Sequence, residues 1–253
     1  PAHREAQIEK ANLLYLQNKF IDAKEYIHTI IKALSDSDML WNVLGNTEYA
    51  LGNWVQAEEA YEKASAINPD IAFSYINQAR SLEQLGKKDE AADCYLNAAH
   101  LLFNREAYTD LDTILPRIIS LKPKSEKVKA FQAKMYFHED KPDAARPLLE
   151  ELIKNESQDS ALYYLLSLLH IREGKREEAL QLLEKAVELT PDYPLYIWRL
   201  AESKRILGKE YAPEIEKAKK LAPEDPWVNN LFGIYYIDQH ELKKAEQHLK
   251  KSH

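Results

Sequence analysis

The residue types that catalysis and metal binding require are present in this sequence, but their spacing does not bring them together. The eight histidines are scattered, and His240 and His248 stand eight positions apart, which on a helix does not converge two ligands as an i, i+4 pair does. No glycine-rich phosphate loop, Gly-x-Ser-x-Gly or His-Glu-x-x-His motif occurs. We therefore expect no catalytic residue, no cofactor-binding residue, no metal ligand and no enzymatic activity.

The single cysteine, Cys94, excludes an internal disulfide. Its place beside Tyr95 in a helical pattern is typical of a small buried side chain rather than of a nucleophile. Adjacent acids such as Glu150 and Glu151 are typical of a solvated helix face. One cysteine fits a reducing compartment as well as a periplasm in which no bridge is used. The localisation of this soluble chain, cytoplasmic or periplasmic, is therefore unknown from the sequence.

The longest apolar stretch, residues 161–169, is interrupted by Ser167 and is about half of the roughly 20 residues that a membrane-spanning helix needs. We therefore expect no transmembrane segment. The chain opens at Pro1 without an initiator Met or an apolar leader, so we expect a processed product or a piece of a longer protein.

The formal net charge of −7 argues against general nucleic-acid or anionic-membrane binding. One basic segment departs from this balance, and Glu126 is its only acid. Its cations are Arg117, Lys122, Lys124, Lys127, Lys129 and Lys134. A solvated connector between helices is the favoured interpretation. An anion-recognising edge of a groove is the second, with RNA or phospholipid binding as the weakest alternative.

Small residues recur with a period of 34 residues. The recurrent alanines are Ala23, Ala57, Ala91, Ala145, Ala179 and Ala245. The fullest copy carries Trp41, Leu44 and Gly45 in its first half, then Tyr61 and a closing Pro69. This pattern resembles that of the tetratricopeptide repeat (TPR) family. The resemblance implies an all-α, right-handed solenoid of antiparallel helix pairs that acts as a scaffold for protein–protein interaction.

Each repeat leaves an apolar helix face that only the next repeat covers, so its stability depends on its neighbours. Glycines at Gly52, Gly86, Gly174 and Gly208 are expected to end first helices in the left-handed conformation. The register predicts about seven repeats, at 4–37, 38–71, 72–105, 126–159, 160–193, 194–225 and 226–253. In the sixth repeat, a short second helix should begin near Pro213.

The interval between Ala91 and Ala145 exceeds one repeat by 20 residues. Apolar residues at helical spacing predict one extra inserted helix there, kinked at Pro116. The helix at 88–103 would then serve two overlapping repeats. The sequence therefore predicts three parts. The first is an N-terminal sub-array of three repeats, and the second is the extra helix with its basic connector, which is flanked by a bend. The third is a C-terminal sub-array of about four repeats whose last copy is truncated. Their bounds are 4–105, 106–125 and 126–253.

The TPR resemblance implies that first helices line a concave groove that holds a partner peptide or helix. The predicted groove residues are Asn46, Asn77, Arg80, Lys127, Phe131, Lys134, Tyr164, Leu165, Leu168, Arg172, Trp198, Arg199 and Trp227. Two asparagines match the chaperone-binding TPR domains, but Asn42 replaces the lysine of their carboxylate clamp, so we do not expect that clamp. The asparagines could still bond the backbone of an extended ligand.

The helix at 160–173 is apolar nearly all round, and basic residues outnumber acids among the predicted groove positions. This favours a protein or peptide with apolar anchors and acidic flanks. The alternative is that these side chains touch one another in a strongly curved array. At the C-terminal end, a short helix alone would cover Trp227, Phe232, Tyr235 and Tyr236, so we expect self-association or pairing with a following segment.

Two other functions remain open at this point. The chain could be the regulatory or targeting module of a larger enzyme, or a self-associating structural component of an assembly. Neither the partner nor the pathway follows from the sequence.

Overall fold

The computed structural model describes residues 2–252, which form fifteen α-helices and no β-strand. The helices are α1 Ala2–Leu16, α2 Phe20–Ile30, α3 Asp38–Ala50, α4 Trp54–Ile67, α5 Ala72–Gln84, α6 Lys88–Asn104, α7 Tyr108–Leu121, α8 Glu126–His138, α9 Pro142–Lys154, α10 Ser160–Arg172, α11 Arg176–Leu189, α12 Pro194–Ile206, α13 Ala212–Leu221, α14 Pro226–Asp238 and α15 Leu242–Leu249. They form two compact units, one up to Val128 and one from Lys129 onwards. The boundary falls inside α8.

The first helices of the pairs are α1, α3, α5, α8, α10, α12 and α14. Each is followed by a residue with positive φ, between 54° and 78°, which reverses the chain so that the second helix packs back on the first. These residues are Asn18, Gly52, Gly86, Asp140, Gly174, Gly208 and His240. The four glycines confirm the prediction, whereas the other three are residue types that tolerate this conformation and were not predicted.

The core is a series of interfaces between neighbouring helices. The recurrent alanines are 3% exposed or less. Their small side chains let the two helices of each pair approach closely. In the first unit, Gly45 of α3 lies against the ring of Tyr61 from α4, and any Cβ at this glycine would clash with that ring. The small residues predicted from the repeat therefore act where backbones meet.

The extra helix is α7, which belongs to the first unit and packs against α6. Its buried side chains are Leu111, Ile114 and Ile118. The helix continues through Pro116, which is exposed. Glu106, with φ of 58°, separates α6 from α7. This residue occupies position 15 of the overlapping register at 92–125, as Gly52 does in the repeat at 38–71. A left-handed residue also follows the second helix α9, at Glu156 with φ of 56°.

The second unit contains the short helix α13, ten residues long with Pro213 in its first turn, as predicted. Phe232 is covered by α13 as well as by the short helix α15, so the expectation that the short helix alone would cover it is wrong. Its side chain is fully buried, its ring stacks on His248 of α15 at 5.1 Å, and the Lys219 ammonium lies 4.3 Å from its ring centroid. The exposed large apolar side chains of α14 and α15 are Trp227, Ile237 and Leu242.

Candidate functional site

The side chains that could act in catalysis or metal binding lie apart from one another in the structure. Cys94 is half-buried, and burial raises the pKa of its thiol to about 11, so it stays protonated at neutral pH. Within residues 2–252, no three His, Cys, Asp or Glu side chains are placed to hold a metal ion. Across the same residues, each helix is too short or too polar to cross a lipid bilayer.

A row of polar side chains links α3 to α5 in the first unit. The Asn42 amide donates to the Ser74 hydroxyl at 3.0 Å and accepts from it at 3.1 Å. The Tyr61 hydroxyl donates to Oδ1 of Asn46 at 2.7 Å. Burial raises the Tyr61 pKa, so this hydroxyl remains a donor. The asparagines are thus held in fixed orientations.

The oxygens of this row are used within the chain. Besides Tyr61, Oδ1 of Asn46 accepts from Nδ2 of Asn77 at 3.4 Å, and Oδ1 of Asn77 accepts from the exposed Arg80 at 3.3 Å. Each amide nitrogen keeps hydrogens beyond these bonds. Asn46, Asn77 and Arg80 therefore form a surface of hydrogen-bond donors with one positive charge. The residue types predicted this row, but the supporting Tyr61 and Ser74 were missed.

The predicted apolar groove residues of α10 are half-buried in the second unit. Tyr164 packs on Tyr196 of α12, with ring centroids 5.0 Å apart. Leu165 contacts the core cluster around α9 and α10, and Leu168 is half-buried. The nearly all-apolar composition of α10 is therefore explained in part by contacts to neighbouring helices. Part of each side chain still reaches solvent.

Two predicted groove aromatics are core residues. Phe131 of α8 is 2% exposed and Trp198 of α12 is 6% exposed, so neither offers a large area to a ligand. Trp198 stacks on Trp227 of α14 with centroids 5.6 Å apart and an interplanar angle of 5°, and the Arg199 guanidinium lies 4.3 Å from the Trp198 ring centroid. Trp227 itself is 61% exposed. The accessible aromatic surface is therefore that of Trp227.

The predicted cations of the second-unit groove are already paired. Lys134 contacts Asp159 at 2.6 Å, and Arg172 contacts Asp140 at 2.6 Å. Arg199 contacts Glu202 at 2.7 Å. The predicted surplus of positive charge is therefore largely balanced by acids, two of which lie in the connections outside the helices.

The basic segment is balanced in the same way. Arg117 of α7 forms an ion pair with Glu83 of α5, and Lys122 pairs with Asp93 at 3.1 Å. Lys129 pairs with Glu151 at 2.6 Å in the second unit. Lys127 is exposed at the end of the first unit. These pairs support the interpretation of a connector over that of an anion-binding edge.

Comparison with known proteins points to one family. Sequence models of the tetratricopeptide repeat match residues 39–71, 74–101 and 136–202, which together make up half of the chain. A TPR repeat-containing protein of Treponema pallidum (strain Nichols) is 25% identical over 252 residues, covering 94% of this chain and 31% of the relative. Protein O-mannosyl-transferase TMTC3 of Homo sapiens is 21% identical over 257 residues, covering 88% of this chain and 28% of the relative.

Among solved structures, the APC/C hetero-tetramer Cut9-Hcn1 aligns with 99% of this chain and 44% of its own, at 16% identity and a TM-score of 0.48. The chain thus spans less than half the length of each of these relatives. The matched segments fall on helix pairs whose alanines, glycines and left-handed turns keep the 34-residue spacing. The chain belongs to the tetratricopeptide repeat superfamily.

Proposed function

We propose that this chain is a non-catalytic scaffold that binds a partner peptide on its first helices. The observation that carries the proposal is the row formed by Asn46, Asn77 and Arg80, whose amide oxygens are used inside the chain. The row offers N–H donors and one positive charge. Such groups suit the backbone carbonyls and carboxylates of an extended segment.

The second unit offers a separate surface, which suits apolar anchors. Trp227 is exposed and its ring is held flat against Trp198, so little side-chain freedom is lost when a ligand packs on it. Half-buried leucine and tyrosine side chains of α10 extend the apolar surface. The ion pair between Arg172 and Asp140 is exposed and therefore weak, so an acidic ligand residue can replace Asp140. The expected partner has apolar anchors and acidic flanks.

The test uses a fluorescein-labelled peptide that alternates Asp with Leu and carries one Phe, with binding followed by anisotropy. Arg80→Ala should weaken binding by about tenfold, since a charge-assisted hydrogen bond contributes ~1.5 kcal/mol or more. Trp227→Ala tests the separate surface of the second unit and should weaken binding there, and added salt should reduce the affinity. Arg105→Ala removes an exposed cation outside the row and is the matched control. Equal affinity of all four proteins, including the unsubstituted chain, would contradict the proposal.

A second candidate is that the array is the targeting or regulatory module of a larger enzyme. The likeness to the human O-mannosyl-transferase favours it, because the aligned region is a minor part of that protein. The test is the sequence of the complete gene product. A catalytic domain on the same polypeptide would support this candidate, and its absence would leave the scaffold alone.

The C-terminal end of the second unit supports self-association. Ile237, Leu242 and Leu249 line an open apolar pocket of about 360 Å³ with Ala245, and Leu242 is 69% exposed. We expect a second copy to cover this surface, since apolar patches of this kind promote association. Light scattering over a concentration series should show a dimer that Leu242→Glu abolishes. A monomer at every concentration would exclude it.

A further inference from the structure

Two grooves in the structure, one in each unit, are built from the same repeat positions. The first, of about 200 Å³, lies among α2, α3 and α4, and the second, of about 380 Å³, lies among α9, α10 and α11. Every residue that lines the second groove has a counterpart in the first groove 122 positions earlier in the chain. The positions belong to a different set from those of the polar row and of Trp227.

The floor of each groove is an aromatic ring beside a leucine. Trp41 and Leu44 of α3 form it in the first groove. Tyr163 and Leu166 of α10 form it in the second. An aromatic face with an adjacent aliphatic surface accommodates a long side chain that ends in a charge.

Each groove has one histidine and one glutamate beside its floor, but the two residues occupy each other's positions in the two grooves. The first groove has His28 on α2 and Glu48 on α3, whereas the second has Glu150 on α9 and His170 on α10. Each of these two carboxylates already has a cation: Glu48 contacts Lys24 at 3.0 Å, and Glu150 contacts a neighbouring arginine at 3.6 Å. One histidine and one neutralised carboxylate are therefore common to both grooves.

A glutamine and a glutamate are exchanged in the same way on α4 and α11. Gln56 and Glu59 line the first groove one turn apart on α4, and Glu178 and Gln181 line the second groove in the reverse order on α11. All four side chains are exposed. Among residues 2–252, no cation forms a salt bridge with Glu59 or Glu178. Each groove thus presents one free carboxylate and one free carboxamide oxygen side by side.

The cationic residue of the first groove shows which charge its ring accepts. The Lys63 ammonium lies 4.4 Å from the Trp41 ring centroid. Its counterpart Lys185 contacts Glu188 at 2.8 Å, and this hydrogen bond raises the pKa of the Lys185 ammonium group. A carboxylate, an amide oxygen and a π face all favour a cation with several N–H donors. An anionic ligand would face the free carboxylate instead.

We infer that the two grooves are equivalent sites for a basic side chain, an arginine or lysine of a partner protein. The aliphatic part of that side chain packs on the leucine and the ring, and its guanidinium or ammonium group bonds Glu59 in the first groove or Glu178 in the second. The negative net charge of the chain attracts a basic partner to both. Because the grooves use other positions than the peptide-binding row, either proposal can fail without the other.

The experiment is a nuclear magnetic resonance titration of the ¹⁵N-labelled chain with N-acetyl-L-arginine amide, using N-acetyl-L-citrulline amide as the neutral isostere. The arginine probe should shift the Trp41 indole signal and the backbone amides of Glu59 and Glu178 with saturable curves. The citrulline probe should shift none of them. Equal shifts with both probes, or no saturable shift with either, would overturn the inference.

Variants separate the two sites from general attraction to acids. Glu59→Gln should remove the response of the first groove only, and Glu178→Gln that of the second only. Glu184→Gln changes an exposed acid of α11 outside the groove and should leave both responses intact. A loss that is equal in all three variants would refute specific sites.

One further variant tests whether the first groove binds a cation. Lys63→Ala frees the Trp41 ring and removes a competing charge, so it should strengthen arginine binding in the first groove about two- to fivefold. Weaker or unchanged binding of the probe in this variant would contradict the assignment of a cation site.

Discussion

Gly45 lies directly against the ring of Tyr61: a Cβ built on Gly45 would stand 2.5 Å from Cε1 and 2.6 Å from Cδ1 of that ring. The ring cannot move aside, because it is buried and its hydroxyl is bonded to Asn46. Gly45→Ala should therefore lower the free energy of unfolding of the first unit by about 1–3 kcal/mol. Urea denaturation followed by circular dichroism measures this loss.

The matched control is Gly233→Ala in the second unit. Its Cβ would be equally close, 2.5 Å, to Cδ2 and Cγ of Leu249. Leu249 is a flexible, half-buried side chain on the last helix, so it can rotate away. The loss of stability should be clearly smaller than for Gly45→Ala. Losses of the same size would mean that the locked ring is not the cause.

Substitution by Ala in the stacked pair of Trp198 and Trp227 should destabilise the protein to very different extents at the two positions. Trp198→Ala should cost about 3–5 kcal/mol of stability, because it leaves a cavity in the core. Trp227→Ala removes an exposed ring and should cost about 1 kcal/mol, from the stacking alone. Thermal melts of both variants provide the comparison. A small effect at Trp198 would show that this ring is accessible after all.

His248 should make the end of the second unit sensitive to acid. Its Nδ1 lies 3.0 Å from Oδ1 of Asn229, and its Nε2 lies 3.2 Å from Nζ of Lys219. Lys219 can donate only to a neutral ring. Burial lowers the His248 pKa below its usual value near 6.5, and Lys219 and Lys251 lower it further, against a smaller opposing effect of Glu216.

The sign of the pH dependence follows from that direction. Near pH 6.5 the unfolded state binds more protons at His248 than the folded state, so stability falls as the pH drops through about 6.5 and levels off below the folded-state pKa. Hydrogen exchange in α15 should therefore be faster at pH ~5.5 than at pH ~7.5, after correction for intrinsic rates. His248→Gln should remove this difference. His240→Asn, at an exposed turn position, should retain it, and a change there instead would refute the role of His248.

The connections around α7 should be the first sites of proteolysis. Arg105 and Lys124 are exposed residues in the segments before and after this helix, whereas Lys122 precedes Pro123 and resists trypsin. Brief digestion should release fragments that end at these two residues. Each should keep helical circular dichroism, because contacts in a repeat array are local. Cleavage that begins at the chain termini, together with a single sharp melting transition, would contradict this.

The repeat, the helix pairs and most turns could be predicted because they depend on local properties of single residues. Gly52 supplies a left-handed backbone, and Ala57 supplies a close approach, whatever the rest of the chain does. The left-handed turns at Asn18 and Asp140 escaped prediction by residue type. The spacing of 34 residues from Gly52 and Gly174 contained the missing signal.

The candidate site was less predictable because it depends on which side chains meet. Position in the repeat placed Lys134 and Trp198 on the inner face, but it did not show that Asp159 neutralises the lysine or that Trp227 covers the tryptophan. Both effects come from neighbouring elements. An aromatic or charged residue on the expected face is therefore a poor guide to exposure until its neighbour is known.

Helix α6 has a consequence for how an array of this type can vary in length. It contacts α5 on one side and α7 on the other, and the left-handed residue Glu106 follows it at position 15 of the overlapping register. A helix that can serve as either member of a pair allows the chain to grow by a single helix, so that the unit of insertion is half a repeat. The odd helix is then one extra layer without a partner, and the helix pairs before it and after it each keep their regular packing.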